Sequence, residues 1–182
     1  ATGLNPSDPY FVRVYHSGAG SSGLPTVGYT TSGIAMFSIC VNEVIPPPAN
    51  DNICGAVGLT VGATCTPTSG TSITATASPQ AVCGGTADDD VWYSFVATNT
   101  TGVIEVAGSA SFDPVIELFD ACFGNSLQCI DDNFGLGTVE SGIMTGLTIG
   151  NTYYVRIYDA GLGIPATTSF TLCIYDVPPP PV

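Results

Sequence analysis

The 182-residue chain contains no lysine, two arginines and one histidine, against 15 acidic residues, and its net charge is −13. With so little to neutralise phosphates, nucleic acid is excluded as a partner. The lone histidine, His16, leaves hydrolysis by a Ser-His-Asp set without support. No Cys-x-x-Cys pair occurs, which argues against a zinc site. No apolar run nears the roughly 20 residues needed to span a bilayer. No basic segment leads into an apolar one at the start, so a secretion signal is expected to be removed or to lie upstream. Helical periodicity is missing throughout. Charge is also scarce, at 9% of residues where about 25% is usual. A surface rich in Thr, Ser, Gly and Ala fits either an extracellular, threonine-coated β domain or a subunit that packs against neighbours.

What is present, first, is repetition. Tyr10-Phe11-Val12-Arg13-Val14-Tyr15 reappears as Tyr153-Tyr154-Val155-Arg156-Ile157-Tyr158, and Phe37-Ser38-Ile39-Cys40 as Phe170-Thr171-Leu172-Cys173. Both arginines occupy the same slot of the repeat, while His16 corresponds to Asp159. The copies differ in one loop, Ser17 to Ser32, which is longer in the first. Self-similarity of this kind marks tandem modules. Residues 1–45 are expected to be the C-terminal part of a preceding module and 46–50 a proline-rich linker. Residues 51–177 are expected to be a complete module and 178–182 a linker to the next. A tail without its body cannot bury its own apolar face, so the chain is expected to be a window on a longer polypeptide. Proline runs favour polyproline II, which rises about 3.1 Å per residue and acts as a semi-rigid spacer.

Seven cysteines occur, and six of them, Cys54, Cys65, Cys83, Cys122, Cys129 and Cys173, fall within the complete module. An even count without metal-ligand spacing reads as disulfides, and hence as an oxidising, extracytoplasmic setting. Local order favours Cys122–Cys129 across a turn, Cys65–Cys83 around a Thr/Ser/Pro loop, and Cys54–Cys173 joining the module's ends. Cys40, the counterpart of Cys173, is expected to bond to a cysteine further upstream.

Period-two alternation with β-branched and aromatic residues dominates the module. Expected strands are 56–61, 72–77, 91–96, 102–107, 115–119, 127–130, 141–147, 153–158 and 169–175, with Gly, Asn, Pro and Asp between them. Many short strands with frequent turns mean an all-β sandwich or barrel. A jelly-roll-like antiparallel sandwich, stapled by disulfides and repeated in tandem, is the expected fold.

Asp90-Val91-Trp92-Tyr93-Ser94-Phe95, Phe112-Asp113-Pro114-Val115-Ile116-Glu117-Leu118-Phe119-Asp120, Thr152-Tyr153-Tyr154-Val155-Arg156-Ile157 and Phe170-Thr171-Leu172 follow one another in that order. This order resembles the bacterial pre-peptidase C-terminal (PPC) domain, a small secreted β-sandwich. It is particularly similar to the cysteine-containing form repeated in giant surface proteins of Bacteroidota, whose modules open much as Pro48 to Cys54 do here. The resemblance covers roughly residues 50 to 175, with a partial copy from about 9 to 42. It implies a non-catalytic companion of peptidases or a repeat of an adhesin.

Acidic residues gather on expected loops, the setting in which Ca²⁺ finds its six to eight oxygens. The resemblance implies calcium at Asp51, Asn52, Asp88 and Asp90, and the clustered pair Asp131 and Asp132 suggests a second, weaker set. The same residues also suit solvated turns. Trp92, Tyr93, Phe95, Phe119, Tyr154 and Tyr158 read as core rather than as a sugar platform. Arg156, mid-strand among apolar neighbours, needs a partner, and Glu117 or an aspartate is expected. Carboxylates clustered on turns do not resemble a glycosidase pair.

The sequence therefore points to a non-enzymatic, extracellular cell-surface protein: a structural and adhesive repeat of a filament or giant adhesin. Its expected partners are neighbouring repeats or subunits, and cell-surface or glycan ligands. The alternatives are a substrate- or carbohydrate-binding accessory domain of a secreted peptidase or glycosidase, and a fibre subunit that polymerises by strand complementation.

Overall fold

The computed structural model describes Leu4 and residues 8–14, 38–41 and 45–177. The chain divides into two compact units, Ala1–Asn42 and Glu43–Val182. The described stretches of the first unit carry neither strand nor helix. The expected linker at 178–182 and the long loop Ser17 to Ser32 lie outside the described residues.

The second unit is an all-β sandwich. After one 3-10 turn at Ile53–Gly55 come β1 (Val57–Leu59), β2 (Thr68–Thr71), β3 (Val91–Val96), β4 (Thr101–Gly108), β5 (Pro114–Phe119), β6 (Ser126–Ile130), β7 (Val139–Thr145), β8 (Thr152–Asp159) and β9 (Ser169–Asp176). One sheet has the order β1-β3-β8-β5-β6 and the other β2-β9-β4-β7. Alternation along each strand points Tyr93 and Phe95, Val155 and Ile157, Ile104 and Val106, and Leu172 and Ile174 into one shared core between the sheets.

β5 and most of β8 are buried on both faces, a pattern that simple alternation does not give. The outer face of the first sheet is roofed by loops. Ile53 packs there on Trp92 and Phe119, and Ala87 on Val115 and Tyr158. The module thus holds a second, smaller core outside its sandwich.

Three expectations are corrected. The strand at 72–77 is absent: β2 ends at Thr71, and the chain turns with Ala75 N–H donating to the Ser72 carbonyl at 2.9 Å. β-Branched residues look alike in a strand and in a turn, and the Ser72 side chain is committed elsewhere, donating to Asp89 at 2.7 Å. Pairing is antiparallel except that β1 runs parallel to β3 and an isolated parallel bridge joins Gly62 to Tyr175. Finally, residues 46–50 are not a bare spacer. The Pro46 carbonyl accepts the Thr74 hydroxyl at 2.7 Å. Asn50 is buried, and it donates to the Trp92 carbonyl at 3.1 Å while its own carbonyl accepts Trp92 N–H at 2.9 Å. An asparagine that exchanges backbone and side-chain hydrogen bonds with a core strand belongs to the fold.

Candidate functional site

The densest chemistry lies under that roof. Arg156 on β8 has Trp92 of β3 and Glu117 of β5 as its neighbours in register. Its Nε donates to Asp90 Oδ2 at 3.0 Å, and its Nη1 to the Ala81 carbonyl at 3.0 Å and to Glu117 Oε2 at 3.4 Å. The guanidinium carbon lies 5.6 Å from the Trp92 ring centroid and 5.2 Å from that of Tyr158. Arg156 and Asp90 are both 0% exposed. A charge so deep is tolerable only when paired and hydrogen-bonded, and here one cation meets two carboxylates and two aromatic faces. Asp90 Oδ1 also accepts Ser78 N–H at 2.7 Å, and Trp92 Nε1 donates to the Ser78 hydroxyl at 2.9 Å. The cluster therefore clasps residues 78–90 to the sheet. Sealed from solvent, it offers no substrate a path to the arginine. Of the aromatics expected to be core, Trp92, Tyr93, Phe95, Phe119 and Tyr158 are buried, and Tyr154 is half-buried against Trp92 and Phe119.

Disulfides reinforce the clasp, with partners other than those expected. The bonds are Cys54–Cys122, Cys65–Cys173 and Cys83–Cys129, with Cα separations of 5.5, 5.3 and 5.9 Å. The hairpin staple Cys122–Cys129 fails because Cys129 stands opposite Glu117 in the β5–β6 register, while Cys122 lies beyond the strand end. Cys54 and Cys83 belong to the roof of the first sheet, whereas Cys173 stands on β9 of the other, so neither Cys54–Cys173 nor Cys65–Cys83 can close. Cys83–Cys129 ties the roof to β6, Cys54–Cys122 ties it to the β5–β6 turn, and Cys65–Cys173 ties the β1–β2 connection to β9.

Of the carboxylates expected to hold calcium, Asp51 and Asp90 have both oxygens engaged within the fold, while Asp88 Oδ1 and Asp131 Oδ1 are buried with no hydrogen-bond partner. Asp51 accepts both the N–H and the hydroxyl of Thr76, at 2.6 and 2.8 Å. Asp90 is engaged by Arg156 and Ser78. Asp88 Oδ2 accepts Gly163 N–H at 2.8 Å, and Asn52 is exposed with its side chain making no cap bond. Among the described residues, the group of three metal-binding types converging within 4.8 Å is Cys65, Glu105 and Cys173, two of which form one disulfide. Asp51, Asp88 and Asp90 do not bring three carboxylate oxygens within 4.8 Å of one another. Nor do Asp131 and Asp132 converge with a third ligand: Asp131 is half-buried, and exposed Asp132 donates its N–H to Glu140 at 3.0 Å.

Sequence reasoning missed the work of the remaining acids, which brace one end of the sandwich. Asp89 accepts Asp159 N–H at 3.1 Å, Asp159 accepts Asp113 N–H at 2.6 Å, and Asp113 accepts Gly135 N–H at 3.1 Å. Glu140, fully buried, accepts Asp132 and Asn133 N–H at 3.0 and 2.7 Å. Its inward slot in the alternation of Val139 to Thr145 is the one signal that could have flagged it. Burial raises the Asp89 carboxyl to about 6, opposed by the bonds from Ser72 and Asp159 and abetted by the charges of Asp159 and Asp88. Burial likewise raises Asp131, with Asp113 and Asp132 adding to the effect.

Fold and site define a disulfide-stapled β-sandwich module whose ionic chemistry is turned inward. Residues 49–172 match the GBD_T9SS_assoc family, described as galactose binding domain-like, and the chain belongs to that family. Such a domain, with its disulfides, is a secreted one. The fold is also similar to the pre-peptidase C-terminal domain of a Bacillus anthracis collagenase, at 16% identity and a TM-score of 0.42, over 65% of this chain and 95% of that one. It is similar to PliG of Aeromonas hydrophila, a periplasmic inhibitor of g-type lysozyme, at 14% identity and a TM-score of 0.36, over 65% of this chain and 96% of that one. Among curated proteins, none matches. No helix among the described residues is long and apolar enough to cross a membrane.

Proposed function

We propose that the chain is part of a non-catalytic structural and adhesive protein, a tandem repeat of a secreted cell-surface filament or giant adhesin. The observation that carries this reading is that the two stretches repeated near residues 10 and 37 correspond to β8 and β9 of the complete module. Three crossing disulfides and a sealed ion cluster suit a part that must keep its shape under load. The want of lysine, with both arginines in one repeat slot, leaves few cuts for trypsin-like proteases. On this reading the partners are neighbouring repeats, with a cell surface or its glycans at the far end.

The test is the mass of the native polypeptide, reduced and denatured, taken with electron micrographs of the undenatured material. A mass many times 18.5 kDa together with filaments is expected. A monomeric native protein of about that mass would overturn the proposal. It would leave the alternative, a substrate- or carbohydrate-binding accessory module of a secreted peptidase or glycosidase.

A further inference from the structure

Residues 10–14 and 39–41 are strand sequences exposed where their counterparts are core. Val12 is 66% exposed and Val14 49%, whereas Val155 and Ile157 are at 0%. Ile39 is 54% exposed and Val41 80%, against 1% for Leu172 and 3% for Ile174. The topology adds what repetition alone does not contain. β8 lies between β3 and β5, and β9 between β2 and β4. Each is an interior strand, hydrogen-bonded along both edges, and they sit in opposite sheets. Sequences that match them need flanking strands on both sides and a facing sheet to cover their apolar residues.

We infer that the stretches 8–14 and 38–41 belong to the eighth and ninth strands of a second sandwich, whose body is the preceding module of the same polypeptide. This rests on the tandem-repeat reading above and specifies how successive modules are built. A second copy of this chain is an unsuitable host, because its own β8 and β9 already fill the interior positions and completed sheets expose only edges. Polymerisation by edge addition would leave the second face of Val12 and Ile39 unserved. Arg13 then falls into a cage made by the counterparts of Asp90, Trp92 and Glu117. Cys40 bonds to the counterpart of Cys65, the residue that stands 108 positions before Cys173 in the complete module, rather than to a cysteine at the module's entrance.

The experiment is disulfide mapping of the native polypeptide by non-reducing peptic digestion and mass spectrometry, paired with hydrogen exchange on the same material. The expected map links the Cys40 peptide to one peptide of foreign sequence within the same polypeptide. Residues 10–14 and 39–41 are expected to exchange as slowly as 153–157 and 172–174. A Cys40 thiol, a Cys40–Cys40 bond between chains, a bond from Cys40 to a cysteine of residues 51–177, or fast exchange across 10–14 would overturn the inference. If the polypeptide is many times 18.5 kDa and any of these is found, the strand assignment fails while the repeat reading stands. If its mass is about 18.5 kDa, both fail together.

Discussion

At the scale of single residues, stability is concentrated in buried charge. Arg156→Ala leaves Asp90 and Glu117 facing each other without a cation under the roof. Removing one partner of a buried ion pair costs about 3–5 kcal/mol, which for a domain this size is a fall in Tm of roughly 6–20 °C. Neutralising the whole set with Arg156→Met, Asp90→Asn and Glu117→Gln should recover much of that loss, because no orphan charge remains. A triple variant as unstable as the single one would show that packing, not charge, sets the cost. Asp89 works in the opposite sense. Its carboxyl is raised from 3.8 to about 6, so the folded state holds the proton more tightly than the unfolded chain. Its contribution is therefore fully present below about pH 4 and is lost as pH rises to about 6. Thermal melts of the wild type and Asp89→Asn across pH 4 to 7 should diverge in that window, with the wild type losing ground as pH rises. Parallel curves would contradict the assignment. Excess chelator should leave the melt unchanged, since both carboxylate oxygens of Asp51 and of Asp90 are already engaged within the fold.

At the scale of elements, strands with a clear register were the most legible part. Val91–Val96 coincides with its expected bounds, and the remaining strands from β4 to β9 lie within two residues of theirs, because alternating apolar residues and Gly or Asn turns mark both faces and ends. β2 was not legible, since Thr and Ser serve strand and turn alike, and Thr74 adopts the left-handed region at φ 58°. The disulfide partners were hidden for a different reason. Pairing depends on which sheet a cysteine faces, and the order of cysteines along the chain carries no such information. Nor did the sequence reveal that the first sheet has a roof, although unbroken burial of Pro114–Phe119, Glu117 included, is its consequence. Contact between β6 and β7 gives an element-level test. A Cβ at Gly142 would overlap the Ile130 side chain where the two sheets meet. Gly142→Ala should cost about 1–3 kcal/mol through overpacking, while Gly58→Ala on the edge strand β1, where a Cβ meets open space, should cost far less. Denaturant melts of the pair decide it, and equal losses would contradict the packing described.

At the scale of the whole molecule, the disulfide map makes the module almost inextensible. Tension applied along the chain takes the shortest covalent path. That path runs from Asp51 to Cys65, crosses to Cys173 and leaves at Val177, so residues 66–172 bear no load while the bond lasts. Only 14 residues on one side and four on the other can be drawn out, roughly 60 Å of chain. Without the bonds, the full stretch from 51 to 177 would give roughly 430 Å. The strand order places β8 and β9 in sheet interiors, and the Cys65–Cys173 bond short-circuits the module, both of which suit the load-bearing role proposed above. The most direct test is single-molecule pulling on the full chain through handles attached at residues 50 and 178, under oxidising and then reducing conditions. The account predicts that the module lengthens by no more than roughly 60 Å when oxidised and by several hundred ångströms when reduced. Long steps in the oxidised protein would contradict both the disulfide map and the load-bearing role drawn from it.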